Sequence, residues 1–277
     1  MRKIYLHKKK IDPKSFFGRY AKDADFDLVV NDDCIVYDSD TKEILVAFYK
    51  KAIPADVAKK VYPALMKGLK YVTNNRGKYS GLKGEDAKKI SVRSYASGYF
   101  DRQGGRHPAC RATQYTRENP SAWKRQIPLL EIMCQKIRQD APQKYSNMVD
   151  FVSKIRPEYK EEGVVLTTTA VNISTKAGYH RDAGDYKDGL GGIAVFMKGQ
   201  CIDWKLVFSE YRVAVNLRDR DLIIFNPHLM HATTEGYGKG EVIKDWNRIS
   251  VVGYTRQGLS KCLPFEQEVQ RARENYG

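Results

Sequence analysis

A histidine and an aspartate separated by one residue carry the strongest chemical signal in this sequence. His180, Arg181 and Asp182 follow a run rich in β-forming residues, and we expect them to lie on an extended segment. Side chains alternate between two faces of such a segment, so His180 and Asp182 point the same way and Arg181 points away. Two side chains on one face can hold one metal ion. The alternative for this pair is a surface ion pair with Arg181.

A second histidine would complete the site, and two candidates flank one turn. Leu222–Phe225 has the pattern of a buried strand, which an Asn-Pro pair interrupts. We favour His231 as the third ligand over His228, because the small residues that follow His231 suit a ligand at the start of a strand. Two histidines and one carboxylate form the facial triad that leaves coordination positions open on non-haem Fe(II).

An arginine opens the last strand-like run of the chain. Arg248 directly precedes a β-forming stretch that ends at Tyr254. A buried guanidinium at this position would clamp a dicarboxylate, because its planar fork makes two parallel hydrogen bonds to a carboxylate.

The charge balance constrains the partner more than the fold. The 277 residues include 48 lysines and arginines against 33 aspartates and glutamates, a formal net charge of +15. This excess of positive charge favours polyanions, because neutralising phosphates releases counterions. Solubility alone is the other explanation. The 42% of hydrophobic residues is ample for a folded core.

Hydropathy and cysteine usage bear on the compartment. The sequence has no apolar stretch of about 18 residues, and its basic N-terminus lacks an apolar leader. We therefore expect a soluble protein that is not exported and does not contact a membrane. The dispersed cysteines predict reduced thiols in an intracellular compartment and no structural zinc. If the polyanion that the charge favours is DNA, that compartment would be the nucleus in a eukaryote, or the host cytoplasm for a phage or bacterial protein. The cysteines are Cys34, Cys110, Cys134, Cys201 and Cys262.

The N-terminal part is predicted to combine short strands with helices. Residues 1–23 form a basic arm, which is either a solvated tail or an arm that contacts phosphates. Pro54 introduces an amphipathic helix that continues to Val72, with Pro63 as a potential kink. The other predicted elements are strands at Leu28–Val30, Cys34–Val36 and Ile44–Phe48, and helices from Ser121 to Ile137 and from Tyr145 to Lys154.

A series of β-forming runs begins at Val164 and predicts the core. We expect an α+β protein whose core is a double-stranded β-helix of the jelly-roll or cupin type, flanked by N-terminal helices. Residues 24–262 form a single catalytic domain, with a helical and loop part at 24–162 and the β-helix at 163–257. A C-terminal helix follows at 263–277. The predicted core strands are Val164–Val171, Ile193–Met197, Lys205–Phe208, Val213–Leu217, Leu222–Phe225 and Ile249–Tyr254.

The segment 74–119 interleaves basic and aromatic residues. Arg76, Arg93 and Arg111 alternate with tyrosines and a phenylalanine in a Gly-rich context. Such a loop suits tracking of a nucleic-acid backbone combined with base stacking. A loop that packs over the barrel would have a similar composition, and both interpretations stay open.

Several blocks of the chain resemble one known family. The C-terminal blocks are GGIAVFMKG, FSEYRVAVNLRDRDLIIFNPHLMHATTEG and RISVVGYTR. The N-terminal blocks are DDCIVYDSDTKEILVAFYKKAI, NNRGKYSG, SGYFDR and PACRATQYT. Together they resemble the TET/JBP family of Fe(II)- and 2-oxoglutarate-dependent nucleic-acid base dioxygenases, above all its compact fungal-type and phage-type members. The resemblance covers most of residues 24–257. It departs from the family in the RDRD turn and in the alanine after His231.

This resemblance implies cofactors and roles for individual residues. Fe(II) would be held by His180, Asp182 and His231, and 2-oxoglutarate by Arg248, with Arg111 as a second contact. Dioxygen would be the co-reactant. The partner would be DNA with a 5-methylpyrimidine base flipped out of the stack, since a stacked base cannot reach an enclosed metal. Asn172 would contact that base, or serve as a structural amide in its strand.

The expected reaction is hydroxylation of 5-methylcytosine in DNA to 5-hydroxymethylcytosine by a monomeric enzyme, and the extent of any further oxidation stays open. Thymine, giving 5-hydroxymethyluracil, is the first alternative, because an asparagine amide can pair with either base edge. A 2-oxoglutarate hydroxylase of a non-nucleic-acid substrate and a non-catalytic reader of modified DNA are the others.

Overall fold

The computed structural model describes residues 1–72, 93–104 and 107–276 of the chain. Its strands are β1 (Arg2–Leu6), β2 (Leu28–Val30), β3 (Cys34–Asp38), β4 (Ile44–Tyr49), β5 (Ser94–Phe100), β6 (Arg111–Ala112), β7 (Thr168–Ile173), β8 (Gly191–Lys198), β9 (Cys201–Ile202), β10 (Lys205–Phe208), β11 (Val213–Asn216), β12 (Leu222–Phe225), β13 (His231–Thr233), β14 (Tyr237–Gly238) and β15 (Asn247–Tyr254). Its α-helices are α1 (Pro13–Phe16), α2 (Ala55–Met66), α3 (Gln114–Glu118), α4 (Pro120–Lys124), α5 (Ile127–Asp140), α6 (Pro142–Ser153) and α7 (Phe265–Tyr276).

One large sheet carries most of the strands, in the order β1-β3-β4-β12-β8-β15-β7-β5-β6. Its central strands bury side chains on both faces. On β15, Ile249 and Val251 pack into the apolar layer that α5 and α6 contribute to, whereas Val252 packs with the apolar cluster on the other face. Period-two alternation thus divides the residues of one strand between a helix layer and the interior of a barrel.

The helix layer lies close against this sheet. Met133 of α5 sits above Gly192 of β8 and Gly253 of β15, and a Cβ at either glycine would come within 2.9 Å of the Met133 sulfur. Glycine at both positions therefore lets the helix approach the backbone of the sheet without displacing the Met133 side chain. Pro63 lies inside α2, which still runs from Ala55 to Met66.

A second, smaller sheet has the order β13-β10-β11-β2 and faces the first. Apolar side chains of both sheets meet between them, including Phe208 and Val215 from the small sheet and Ile223 and Phe225 from the large one. Hydrophobic burial between two facing sheets is the main force that closes such a barrel. The structure has the mixed α and β content and the barrel of two facing sheets that the sequence predicts.

The basic N-terminal arm is not a free tail along its whole length. Arg2–Leu6 forms β1, which pairs in parallel with β3 at the edge of the large sheet, with Arg2 opposite Cys34. The alternation of Ile4 and Leu6 with polar residues explains the pairing, since one face of the strand packs on the interior apolar cluster.

The helix predicted from Ser121 to Ile137 is divided. Helix α4 ends at Lys124 and α5 begins at Ile127. Pro128 lies in the first turn of α5, where proline is tolerated because its missing N–H has no helical partner there. Part of the basic and aromatic segment, residues 73–92 and 105–106, with Arg76 and the block NNRGKYSG, lies outside the described residues.

The expectation that all five cysteines are reduced thiols is wrong for two of them. Cys110 and Cys262, separated by 152 positions in sequence, form a disulfide with their Cα atoms 5.9 Å apart. The sequence gives no signal for this pairing, because the fold alone brings the segment after β5 beside the segment before α7. Cys34, Cys134 and Cys201 are free and buried. Among the described helices, none is both long enough and apolar enough to cross a membrane.

The disulfide is expected to contribute to stability. A crosslink over a loop of 152 residues restricts the unfolded chain and typically stabilises a protein by about 2–4 kcal/mol. We expect Cys262→Ser to lower the Tm by roughly 5–10 °C. Thermal unfolding with and without a dithiol reductant measures this. The reductant should lower the Tm of the wild type and leave that of Cys262→Ser unchanged; a wild-type Tm insensitive to reductant would contradict the crosslink.

Candidate active site

Backbone pairing brings the two predicted histidine ligands together. The segment around His180 lies beside β13, where the backbone N of His180 donates to the carbonyl of His231 and the N of His231 donates to the carbonyl of His180, both at 3.0 Å. The pairing is antiparallel, so the two side chains emerge on the same face. Their ring centroids are 4.4 Å apart.

Asp182 completes a cluster with both rings. Its Oδ1 lies 3.5 Å from Nε2 of His180, and its Oδ2 lies 3.7 Å from Nε2 of His231. One ligand atom from each of the three residues lies within 4.8 Å of the others, which is close enough for one metal ion. The backbone N of Asp182 donates to the carbonyl of Pro227 at 3.0 Å and holds this loop against the turn before β13.

Both imidazoles are oriented for coordination through the same atom. Nδ1 of His180 lies 2.8 Å from the carbonyl of Gly178, and Nδ1 of His231 lies 2.8 Å from the carbonyl of Leu229. A hydrogen bond from Nδ1–H fixes the tautomer and leaves the Nε2 lone pair free for a metal.

Burial favours the ligating form of His231. The ring packs against Phe225 and Phe208 and is 4% exposed. Burial, and after it the neighbouring His180, lowers the pKa of His231 to about 4. The imidazole is therefore neutral at physiological pH, as metal binding requires.

The competing histidine is placed differently. Nε2 of His228 lies 3.4 Å from the carbonyl of Tyr186, and its backbone N donates to Asn226. His228 is not a member of the metal-binding cluster that the described residues form. The structure thus groups His231, rather than His228, with His180 and Asp182.

Arg248 lies inside the barrel without an acidic partner among the described residues. Arg248 is 4% exposed, and its Nε has no hydrogen-bond partner among the described residues. Its guanidinium lies 5.3 Å from the centre of the Trp204 ring. Burial lowers its pKa to about 10, so the group still carries its charge at neutral pH. A buried cation without a counterion is costly, and an anionic ligand would relieve that cost. The site therefore fits a carboxylate.

The distance between the two parts of the site suits a small dicarboxylate. Phe225, which contacts His231, is in register with Gly191 on β8, and Gly192 pairs with Gly253. The histidine therefore lies near the level of Gly253, five residues along β15 from Arg248. That separation is roughly 17 Å between backbones, which accommodates the arginine side chain and a five-carbon dicarboxylate.

Asn172 lies in a polar row that crosses three strands. On β7 it is directly opposite Ser250 of β15 on one side and Ser94 of β5 on the other. Ser250 alternates with Val251 and so faces the barrel interior, and Asn172 shares that face. The hydroxyl of Ser94 is buried without a hydrogen-bond partner among the described residues. The row lies between the levels of Arg248 and the metal cluster.

Arg111 is not brought together with Arg248. It lies on β6 opposite Phe100, beyond the row in which Gly98, Thr168 and Tyr254 pair. Tyr254, the β15 member of that row, is six residues along β15 from Arg248, a distance of roughly 20 Å. Arg111 lies farther away still. The Arg111 guanidinium donates to the carbonyl of Ala109 and lies 5.9 Å from the Phe100 ring. Arg111 therefore stands at the rim of the barrel, at the end where the metal cluster is.

Sequence patterns did not predict one charged pair that lies at the same rim. Arg256 donates to Asp101 from Nε at 3.0 Å and from Nη2 at 2.5 Å. Its guanidinium also fills the space beside Gly184, two residues after Asp182, where a Cβ would come within 2.6 Å of Nη1. Residues 101 and 256 are distant in sequence, so no local spacing could have paired them.

The triad predicts a metal-binding phenotype with an internal control. We expect His231→Ala to weaken binding of Mn(II), a redox-stable probe, by at least about 100-fold, since only two ligands remain. His228→Ala removes a histidine from the same turn and should bind Mn(II) like the wild type. Isothermal titration calorimetry measures both affinities. Loss of binding in His228→Ala but not in His231→Ala would contradict the assignment.

Comparison with known proteins places this site in a family. Residues 95–257, more than half of the chain, match the family model Tet_JBP, described as the oxygenase domain of the 2OGFeDO superfamily. The match includes all three members of the triad and Arg248.

Curated proteins with similar sequences include thymine dioxygenases of Trypanosoma. Thymine dioxygenase JBP1 of Trypanosoma brucei brucei is 29% identical over 189 residues, which cover 67% of this chain and 22% of that protein. The bifunctional helicase and thymine dioxygenase JBP2 of Trypanosoma brucei brucei (strain 927/4 GUTat10.1) is 27% identical over 256 residues, or 89% of this chain and 22% of that protein. The chain thus spans about a fifth of the length of these relatives.

A solved structure shares the fold. The structure of NgTET1 in complex with 5mC DNA aligns with 98% of this chain and 90% of its own length, with a TM-score of 0.60 and 15% sequence identity. Proteins of the matched superfamily use Fe(II), 2-oxoglutarate and O2. The barrel, the His-Asp-His cluster and the family match together show that the chain belongs to the Tet_JBP family of 2-oxoglutarate- and Fe(II)-dependent oxygenases.

Proposed function

We propose that this chain is a dioxygenase that hydroxylates the methyl group of a 5-methylpyrimidine base in DNA, using Fe(II), 2-oxoglutarate and O2. The observation that carries the proposal is the His-Asp-His cluster at one end of a barrel whose interior holds Arg248, which is buried and has no acidic partner among the described residues. The separation between the metal site and Arg248 would allow one small dicarboxylate to bind both the metal and the arginine.

Each residue of the site has one role in this proposal. His180, Asp182 and His231 would hold the iron, and Arg248 would pair with the distal carboxylate of 2-oxoglutarate. When bound, iron and 2-oxoglutarate together supply the oxidising power that a C–H bond requires. Phe208 and Phe225 pack around His231 and exclude water from that ligand. Residues 24–262 would act as one monomeric catalytic domain.

The substrate is proposed from charge and from the relatives. A net charge of +15 favours DNA over an uncharged small molecule or a typical protein. The target base must leave the stack to enter the barrel, and Asn172, on the interior face of β7, would contact it. Arg111 and Arg256 at the rim would lie near the backbone of the substrate.

Thymine and 5-methylcytosine differ at one base edge, and the relatives favour thymine. Both named sequence relatives are thymine dioxygenases. The likeness to the structure with 5mC DNA, at 15% identity, supports the fold only. We therefore place thymine, with 5-hydroxymethyluracil as product, ahead of the 5-methylcytosine that the resemblance in the sequence favoured.

Nucleoside mass spectrometry tests the reaction and the base together. Duplex DNA containing thymine and 5-methylcytosine is incubated with the protein, Fe(II), 2-oxoglutarate and air. We expect 5-hydroxymethyluracil from the wild type, product at background level from Asp182→Ala, and wild-type yield from Asp188→Ala. Asp188 is an exposed acid in the same loop, so its variant controls for loss of negative charge near the site.

Other products would contradict the proposal in defined ways. Oxidation of 5-methylcytosine alone would show that 5-methylcytosine, and not thymine, is the substrate. Succinate formed without any oxidised base, in a manner that depends on Asp182, would retain the oxygenase and refute DNA as substrate.

A further inference from the structure

A buried glutamate outside the triad contacts both segments that carry it. Glu210 lies in the short 3-10 turn after β10 and is 3% exposed. Its Oε2 accepts a hydrogen bond of 2.9 Å from the backbone N of Met230, the residue before His231. Its Oε1 lies 3.1 Å from Nη2 of Arg181, the residue between the other two triad members. One carboxylate therefore joins the two stretches of chain that bring the triad together.

Arg181 extends this link to the turn itself. Its Nη1 donates to the backbone carbonyl of His228, three residues before His231. Arg181 can reach both partners because it alternates with His180 and Asp182 and so leaves the face on which the triad lies. Arg181 thus ties the segment that carries His180 and Asp182 to the segment that carries His231.

The N-terminal arm closes the cluster. Nζ of Lys8 lies 3.0 Å from Oε1 of Glu210, and the backbone N of Lys9 donates to the Glu210 carbonyl at 2.7 Å. Burial alone would raise the pKa of Glu210, but hydrogen bonds from Met230, Lys8 and Arg181 outweigh it and lower that pKa. The group is therefore a carboxylate at neutral pH, held between two cations.

We propose that Glu210 is a positioning residue for the metal site. This role rests on the proposed function, in which the three triad residues are the metal ligands. Acting through Arg181 and the Met230 amide, Glu210 fixes the distance between the His180–Asp182 segment and His231. Metal sites need their ligands held to within about 0.5 Å, and the outer partners that do this typically contribute 10- to 100-fold in metal affinity. Lys8, in this role, belongs to the site rather than to a DNA-contacting arm.

The test replaces the charge and keeps the shape. We expect Glu210→Gln in the full chain to weaken Mn(II) binding by roughly 10- to 100-fold by calorimetry, and to lower kcat in the DNA assay. Glu161→Gln is the matched control, because Glu161 is also shielded and accepts from Tyr99 at 2.8 Å and from Trp123 at 2.6 Å, away from the triad. Both variants should lose stability, and only Glu210→Gln should lose metal affinity.

A second variant keeps the inference testable if Glu210→Gln does not fold. Arg181→Met removes the link to the His180–Asp182 segment, and its side chain is 38% exposed, so the change is tolerable for folding. It should weaken Mn(II) binding in the same range. A folded Glu210→Gln or Arg181→Met with wild-type Mn(II) affinity would overturn the positioning role. If the wild-type chain bound no Mn(II), the proposed metal site would fall, and this inference with it.

Discussion

The two reciprocal backbone hydrogen bonds between His180 and His231 are the contact on which the rest of the site depends. They are made between a segment that follows β7 and the short strand β13, and neither segment could hold a metal alone. Because the pairing is antiparallel, it fixes which side chains share a face, and Asp182 follows on that face by simple alternation. The central strands of the large sheet then set the distance from this cluster to Arg248, since β15 is paired on both sides, with β7 and β8.

Glu210 and Arg248 are two buried charged groups that differ in how their charge is balanced. Glu210 is surrounded by donors, and its burial is offset by the ion pairs with Lys8 and Arg181. Arg248 lies in the barrel with no carboxylate beside it among the described residues, and an aromatic ring covers its guanidinium. An ion that the fold leaves without a partner costs free energy, and a fold retains that cost where a ligand supplies the missing charge. The contrast distinguishes a group that shapes the site from a group that binds a ligand.

The sequence predicted what local patterns encode. The spacing of His180 and Asp182, the strand that ends at Phe225 and the run after Arg248 follow from alternation and from turn residues, and the structure brings these elements into one barrel. Contacts between distant segments were not predictable in this way. The Cys110–Cys262 disulfide, the Asp101–Arg256 pair and the Glu210 cluster each depend on which strands become neighbours. Arg111 shows the same limit, because its motif gives no information on which end of the sheet it occupies.

We propose that the triad and Arg248 form a single site for iron and 2-oxoglutarate. The most direct measurement is an anaerobic titration of 2-oxoglutarate into the Fe(II)-loaded protein, followed by the visible charge-transfer absorption that appears when a keto acid chelates the metal. We predict the band in the wild type and in Arg111→Ala at similar 2-oxoglutarate concentrations. In Arg248→Ala it should require about 30-fold more, because truncating one partner of a buried charge pair costs at least about 2 kcal/mol. A wild type without the band, or an unchanged titration in Arg248→Ala, would contradict the account.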